Sequence, residues 1–178
     1  MKKKGHKILL ENFLALLREE EKISRVLDAG SGRTSVSALA EYFPGADITA
    51  LVYPGDQRKI SKIKEVGEFL ILEQDLCVGL AGSYDLVAAH LLLGEAAKFG
   101  HSMDELLEGL LSVQCRYLVI IDYLEDPRVS REKIEEVCTA KGFVVQYSGC
   151  IANDEPQSWV DFTGCHNFGY LFRRGISG

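Results

Sequence analysis

The sequence lacks any apolar run of the ~18 residues that a bilayer-spanning helix requires, which excludes that class of membrane protein. It also lacks an apolar core and a small-residue cleavage site behind its basic start, Met1-Lys2-Lys3-Lys4-Gly5-His6-Lys7. That start therefore reads as a solvated tail, and the expectation is a cytoplasmic protein with no membrane association. No C-x-x-C pair occurs, and the five cysteines (Cys77, Cys115, Cys138, Cys150, Cys165) are scattered and odd in number. A disulfide framework is excluded by that pattern, and no metal site is expected. Cys165-His166 with Cys150 could be drawn as ligands, but buried, inert thiols are the simpler reading. Excess positive charge is missing too. A net charge of −6 and a pI near 5.3 disfavour non-specific binding to nucleic acid or to an anionic membrane. With no repeat, low-complexity stretch or linker, the 178 residues are expected to form one domain (1–178), with a tail and leading helix over 1–22.

What is present centres on Arg25-Val26-Leu27-Asp28-Ala29-Gly30-Ser31-Gly32-Arg33-Thr34. A short apolar strand runs into an acid and a glycine-spaced turn, and a helix follows. Glycine at 30 and 32 allows a sharp turn and close approach of a ligand to the main chain. The helix that opens near Thr34 aims its unpaired N–H groups at the same gap. Such a loop at the carboxyl end of a parallel strand suits a nucleotide-type ligand, although a glycine turn can also be purely structural. The dinucleotide fingerprint G-x-G-x-x-G is incomplete, because Ser35 stands where its third glycine belongs.

Around that loop, helical and strand patterns alternate. Apolar pairs at a four-residue step predict a helix from Ile8 to Arg18, and Val36, Leu39, Ala40 and Phe43 predict another, ended by Pro44-Gly45. Asp56 is placed to cap a helix bearing Ile60, Ile63 and Val66, with Gly67 at its end. Further helices are expected over Asp104 to Ser112 and after Ser130, the latter closed by Gly142. Strands are expected at 25–28, 48–52, 69–72, 84–89, 117–122, 143–147 and 167–173. The pattern argues for an α/β, doubly wound, mostly parallel sheet. The last two strands have only a loop through Asn153, Pro156 and Trp159 between them, so they should form an antiparallel hairpin at one edge.

The order D-x-G-x-G after a Val-Leu strand end, Asp28-Ala29-Gly30-Ser31-Gly32, resembles motif I of the class I S-adenosylmethionine-dependent methyltransferases, and the later landmarks follow in that family's order over essentially the whole chain. The resemblance implies a Rossmann-like methyltransferase fold and S-adenosylmethionine as cofactor. Asp28, Gly30, Ser31 and Gly32 would line the site for its methionine half, with backbone N–H groups meeting the carboxylate. Asp28 would accept from the ammonium, directly or through water. Asp75 matches the position whose acid commonly contacts the adenine amino group, and Leu76 would add an adjacent contact. Asp28 and Asp75 also have a plainer reading as caps of neighbouring turns.

The chain departs from the family at the end of the second strand. The usual acid that grips both ribose hydroxyls is replaced by Val52 or Tyr53. Tyr53 can stack on adenine or donate one hydrogen bond, but it cannot reproduce paired acceptance. After the fourth strand there is no N/D-P-P-Y/F/W motif, so nucleobase or glutamine amino methylation loses support. His90 is a candidate general base, on the expectation of a pKa near working pH, and Glu95 could orient an acceptor. A structural role for a lone histidine is the competing reading. Leu91, Leu92 and Leu93 read as core or as the wall of a pocket, and Trp159 and Tyr170 as substrate cover or plain packing. The resulting expectation is a methyltransferase acting on a small-molecule or protein acceptor, of unknown oligomeric state. A non-catalytic methyltransferase-like binding or assembly module is the alternative. An NAD(P)-dependent oxidoreductase ranks behind both, given the absent third glycine and the absent acid.

Overall fold

The computed structural model describes residues 4–123, 129–151 and 167–176. Trp159, with Asn153, Pro156, Cys165 and His166, lies outside the described residues, as do Lys2 and Lys3. Seven strands are present: β1 (Arg25–Ala29), β2 (Asp47–Val52), β3 (Leu70–Glu73), β4 (Ser83–His90), β5 (Gln114–Tyr123), β6 (Phe143–Ile151) and β7 (Asn167–Arg174). They form one sheet in the order β3-β2-β1-β4-β5-β7-β6. The first five are parallel, and β7 runs antiparallel between β5 and β6. The doubly wound sheet and its antiparallel C-terminal pair are thus as the sequence pattern anticipates.

Each inner strand is apolar on both faces because both faces are covered. Side chains alternate between two cores. Val26, Ala50, Leu86, Ala88, Val119 and Ile121 pack under α1 (Gly5–Glu20), α2 (Arg33–Tyr42) and α3 (Gln57–Lys64). Leu27, Leu51, Val87, Ala89, Leu118 and Ile120 pack under α4 (Met103–Ser112) and α5 (Arg131–Ala140). The period of two in side-chain direction therefore assigns every strand residue to one layer. Burying Leu10, Leu14 and Leu17 fully docks α1, at about 1.5–3 kcal/mol for each side chain.

Helix starts follow local chemistry. Asp56 accepts from the Lys59 N–H at 3.1 Å and Ser130 from the Lys133 N–H at 3.2 Å, both as expected. Ser102 and Glu105 form a reciprocal cap at the head of α4, at 2.7 and 3.2 Å. α3 stops at Lys64, ahead of the expected Gly67. Two larger differences bear on the site. α1 begins at Gly5, so Gly5 and His6 belong to a buried helix start rather than to a solvated tail. A seven-residue 3-10 turn, Leu93–Phe99, follows β4, where the sequence shows no repeating period. Tyr170 lies on β7 within the core, its hydroxyl donating to Glu135 at 2.8 Å, and so covers no substrate. At Gly169 a Cβ would lie 2.7 Å from Phe13 Cε2, so the missing side chain is what lets α1 lie flat on β7.

Candidate functional site

In the strand order, succession reverses between β1 and β4, and the glycine loop leaves β1 at that switch point. Gly30 takes φ +68, a left-handed conformation that glycine adopts without strain. A Cβ there would also lie 2.5 Å from Leu92 Cδ1. Leu91, at φ +58, is the only non-glycine residue with positive φ among those described. Its strained backbone turns the chain so that Leu92 presses on Gly30.

Asp28 fastens the loop from below. It is fully buried, and its Oδ2 accepts from the Ser31 hydroxyl at 2.5 Å and the Ser35 hydroxyl at 2.7 Å. Its Oδ1 is buried with no hydrogen-bond partner among the described residues. Burial pushes the carboxyl up to about 7, against the pull of the two serine hydroxyls and the Lys59 charge. The Ser31 N–H donates to the Leu51 carbonyl at 2.8 Å, which ties the loop to β2. Ser31 is therefore engaged on both its hydroxyl and its amide. Gly32 precedes the first turn of α2, and its N–H donates to Ser35 Oγ at 3.3 Å.

Beside the loop, a cavity of about 20 Å³ is bounded by Gly30, Tyr53, Asp75, Leu76, Leu92 and Phe99. Four of the residues singled out from the sequence, Gly30, Tyr53, Asp75 and Leu76, thus converge on one space. Asp28, Ser31 and Gly32 support it without lining it. The volume suits about one water molecule, because the 3-10 turn fills the remainder. Tyr53 and Phe99 stack with centroids 4.8 Å apart, and the Tyr53 hydroxyl donates to the Phe99 carbonyl at 3.4 Å. Glu95 pairs with Lys59 at 3.1 Å and with Lys98 at 3.2 Å, and Lys59 also sits 5.6 Å from the Phe99 ring centre. Glu95 thereby latches the turn to α3.

Asp75 does cap a turn: its Oδ1 accepts from the Cys77 N–H at 2.9 Å, opening a short 3-10 turn, Leu76–Val78. Its Oδ2 lies 2.8 Å from His101 Nε2. The Asp75 pKa is lowered: burial opposes the shift, and hydrogen bonds from Cys77 and His101 outweigh it. His101, just ahead of α4, escapes sequence reasoning. Its nearest signal is the Ser102-x-x-Glu105 cap one residue on.

His90 closes β4, in register with Ile121 of β5, and faces the α1 layer. There His6 Nδ1 lies 2.9 Å from His90 Nε2. Burial and then the neighbouring His6 push His90 down to about 3, not to the near-neutral value expected from the sequence. Burial likewise lowers His6. Both imidazoles are neutral at physiological pH, so His90 is a weak base held by a partner 84 residues away in sequence. The thiols also divide. Cys115 and Cys138 are buried, with pKa values raised to about 11 and about 12, whereas Cys77 and Cys150 are only partly buried and so depart from the buried reading; partial burial and then the Asp75 charge still raise Cys77 to about 11.

At the level of sequence, no protein-family model and no curated protein matches the chain. Solved structures do. A TehB-like S-adenosylmethionine-dependent methyltransferase from Corynebacterium glutamicum superimposes with a TM-score of 0.65 at 19% identity, over 93% of this chain and 87% of that one. An S-adenosylmethionine-dependent methyltransferase from Clostridium acetobutylicum gives 0.68 at 9% identity, over 98% and 93%. The 1,6-didemethyltoxoflavin-N1-methyltransferase of Burkholderia thailandensis, with S-adenosylhomocysteine bound, gives 0.63 at 16% identity, over 97% and 79%. With a seven-stranded sheet of this order and a glycine loop at its switch point, the chain has the fold of the class I S-adenosylmethionine-dependent methyltransferases.

Proposed function

We propose that the chain, acting as one domain over 1–178, is a methyltransferase that uses S-adenosylmethionine and a small-molecule or protein acceptor. The observation that carries this reading is the convergence of Gly30, Tyr53, Asp75 and Leu76 on one cavity at the carboxyl ends of β1, β2 and β3. The chemistry of these groups suits the cofactor. The first turn of α2 offers N–H donors to a carboxylate, and the Tyr53 ring offers a face to adenine. Asp75 keeps acceptor capacity for an amino group, since each carboxylate oxygen can accept twice. The cofactor supplies a methyl group activated on a sulfonium.

The protein's own contribution is positioning. Entry of an adenosyl group requires Leu92 and Phe99 to swing off Gly30 and Tyr53. The absent ribose acid forgoes charge-assisted bonds of about 1.5–3 kcal/mol each. The neutral His6–His90 pair stands at the strand end beside the loop, where it can orient an acceptor and take a proton only weakly. A non-catalytic binding module is the second reading. The missing acid and the filled cavity favour it.

Calorimetric titration with S-adenosylmethionine, S-adenosylhomocysteine and NADH, repeated on Gly30→Arg, tests the proposal. The expected result is micromolar binding of the adenosyl ligands that the substitution abolishes. Absence of adenosyl binding refutes the methyltransferase reading, and binding without methyl transfer to any fraction of a cell extract selects the module. NADH binding alone would favour an oxidoreductase.

A further inference from the structure

We propose that Asp75, Cys77 and His101 form a binding site for a divalent transition-metal ion of the zinc class, with a fourth coordination position open to solvent. The inference shares Asp75 with the methyltransferase reading, but its other two ligands, Cys77 and His101, lie outside that cavity, and its test does not depend on cofactor binding. One carboxylate oxygen, the Cys77 sulfur and one imidazole nitrogen lie within 4.8 Å of one another. In a tetrahedral zinc site, bonds of about 2.0–2.3 Å place ligand atoms roughly 3.5 Å apart. Closure therefore asks for side-chain movements on the order of an ångström, within reach of half-exposed groups. The contact between Asp75 Oδ2 and His101 Nε2, 2.8 Å, has to open slightly as the ion replaces the proton they share.

The supporting contacts are those a metal-binding histidine uses. With Nε2 turned to the ion, His101 Nδ1 faces Glu105 Oε2 at 3.6 Å, the carboxylate–histidine–metal order that fixes the ring and its tautomer. Glu105 is itself held by the Ser102 N–H at 2.7 Å. Asp75 is anchored through its other oxygen by the Cys77 N–H, so the D-x-C turn presents both ligands on a fixed backbone. Gly109 lets that turn seat against α4, for a Cβ there would lie 2.9 Å from the Leu76 carbonyl oxygen and 3.3 Å from Cys77 Cα. A groove of about 570 Å³ opens onto Cys77 and His101 and gives an ion access from solvent; of the acids on its walls, Asp104 and Glu108 are paired with Lys133 and Lys141, and Glu105 faces His101.

The donor set fixes the class of ion. A thiolate with an imidazole selects zinc, cobalt or copper over magnesium and calcium, which favour all-oxygen shells. On binding, the Cys77 thiol and the imidazole each coordinate as the deprotonated ligand, and the displaced protons pass to solvent. The ion is not consumed, and no redox change is involved.

Cobalt(II) is the probe. Titration of the full chain is expected to produce sulfur-to-cobalt charge-transfer absorption that saturates at one equivalent, and zinc should bleach it while magnesium does not. Cys77→Ser should remove the charge-transfer band, His101→Ala should weaken binding at least tenfold, and Cys150→Ser and Cys165→Ser should change neither. Glu105→Gln, which leaves the three ligands in place, should weaken binding by about tenfold or more. The proposal is overturned if the wild-type chain gives no charge-transfer band at one equivalent, or if the band survives in Cys77→Ser. The wild-type result decides the matter even where a variant folds poorly.

Discussion

Asp28 is a buried acid whose carboxyl is pushed up to about 7 in the folded chain, against 3.8 for the free group. Folding therefore holds a proton on this side chain that the unfolded chain releases. The stabilisation tied to that proton is complete below pH 3.8 and is lost as pH rises through about 7. At about 1.4 kcal/mol per pH unit, and with two units of the interval lying between pH 5 and pH 7, the loss from pH 5 to pH 8 is about 2.5 kcal/mol. Asp28→Asn keeps the carbonyl oxygen for Ser31 and Ser35 but cannot titrate. Urea unfolding at pH 5, 6, 7 and 8 should show the native chain losing this amount relative to the variant, with unchanged denaturant slopes. His90, pushed down to about 3 from 6.5, acts in the opposite sense: its contribution is present above pH 6.5 and is lost as pH falls toward 3. It is common to both chains and cancels in the difference. Parallel stability curves for the two proteins would refute the assignment of the raised pKa to Asp28.

Two other substitutions probe the walls of the site. Leu92→Ala should destabilise the fold by about 2–5 kcal/mol, as truncations of buried leucine do, while tightening S-adenosylhomocysteine binding by clearing the face of Gly30. Weaker binding would show that Leu92 shapes the pocket rather than filling it. His6→Ala should let water reach His90 and relieve the burial that disfavours its charged form, raising the His90 pKa from about 3 toward 6.5 in an NMR titration. An unmoved titration would mean that His6 has no influence on that ring.

The strand–loop–helix unit and the alternation of elements were legible because both are local. An apolar strand, a glycine pair and a period of four each occupy a few consecutive residues. Gly30, Tyr53, Asp75 and Leu76 were legible through the resemblance to the methyltransferase family, whose motif positions lie at the ends of the first three strands. The residues missed are those whose role depends on a distant partner. His6 looks like part of a charged tail until α1 docks and carries it against His90. Phe99 fills the cavity from a 3-10 turn whose three-residue period leaves no amphipathic signature, whereas Leu92, just ahead of it, was readable as core or pocket wall. His101 acquires Asp75 only when Gly109 permits α4 to settle on the Leu76–Val78 turn.

The insertion of β7 between β5 and β6 makes the last described strand an interior one. Until it arrives, β5 and β6 each present an unpaired row of backbone donors and acceptors, and the Phe13 ring of the first helix lacks the flat surface offered by Gly169. α1 and β7 thus complete one another. Assembly of this half of the sheet waits until β7 has been made, and the chain before that carries open strand edges that invite pairing with other chains.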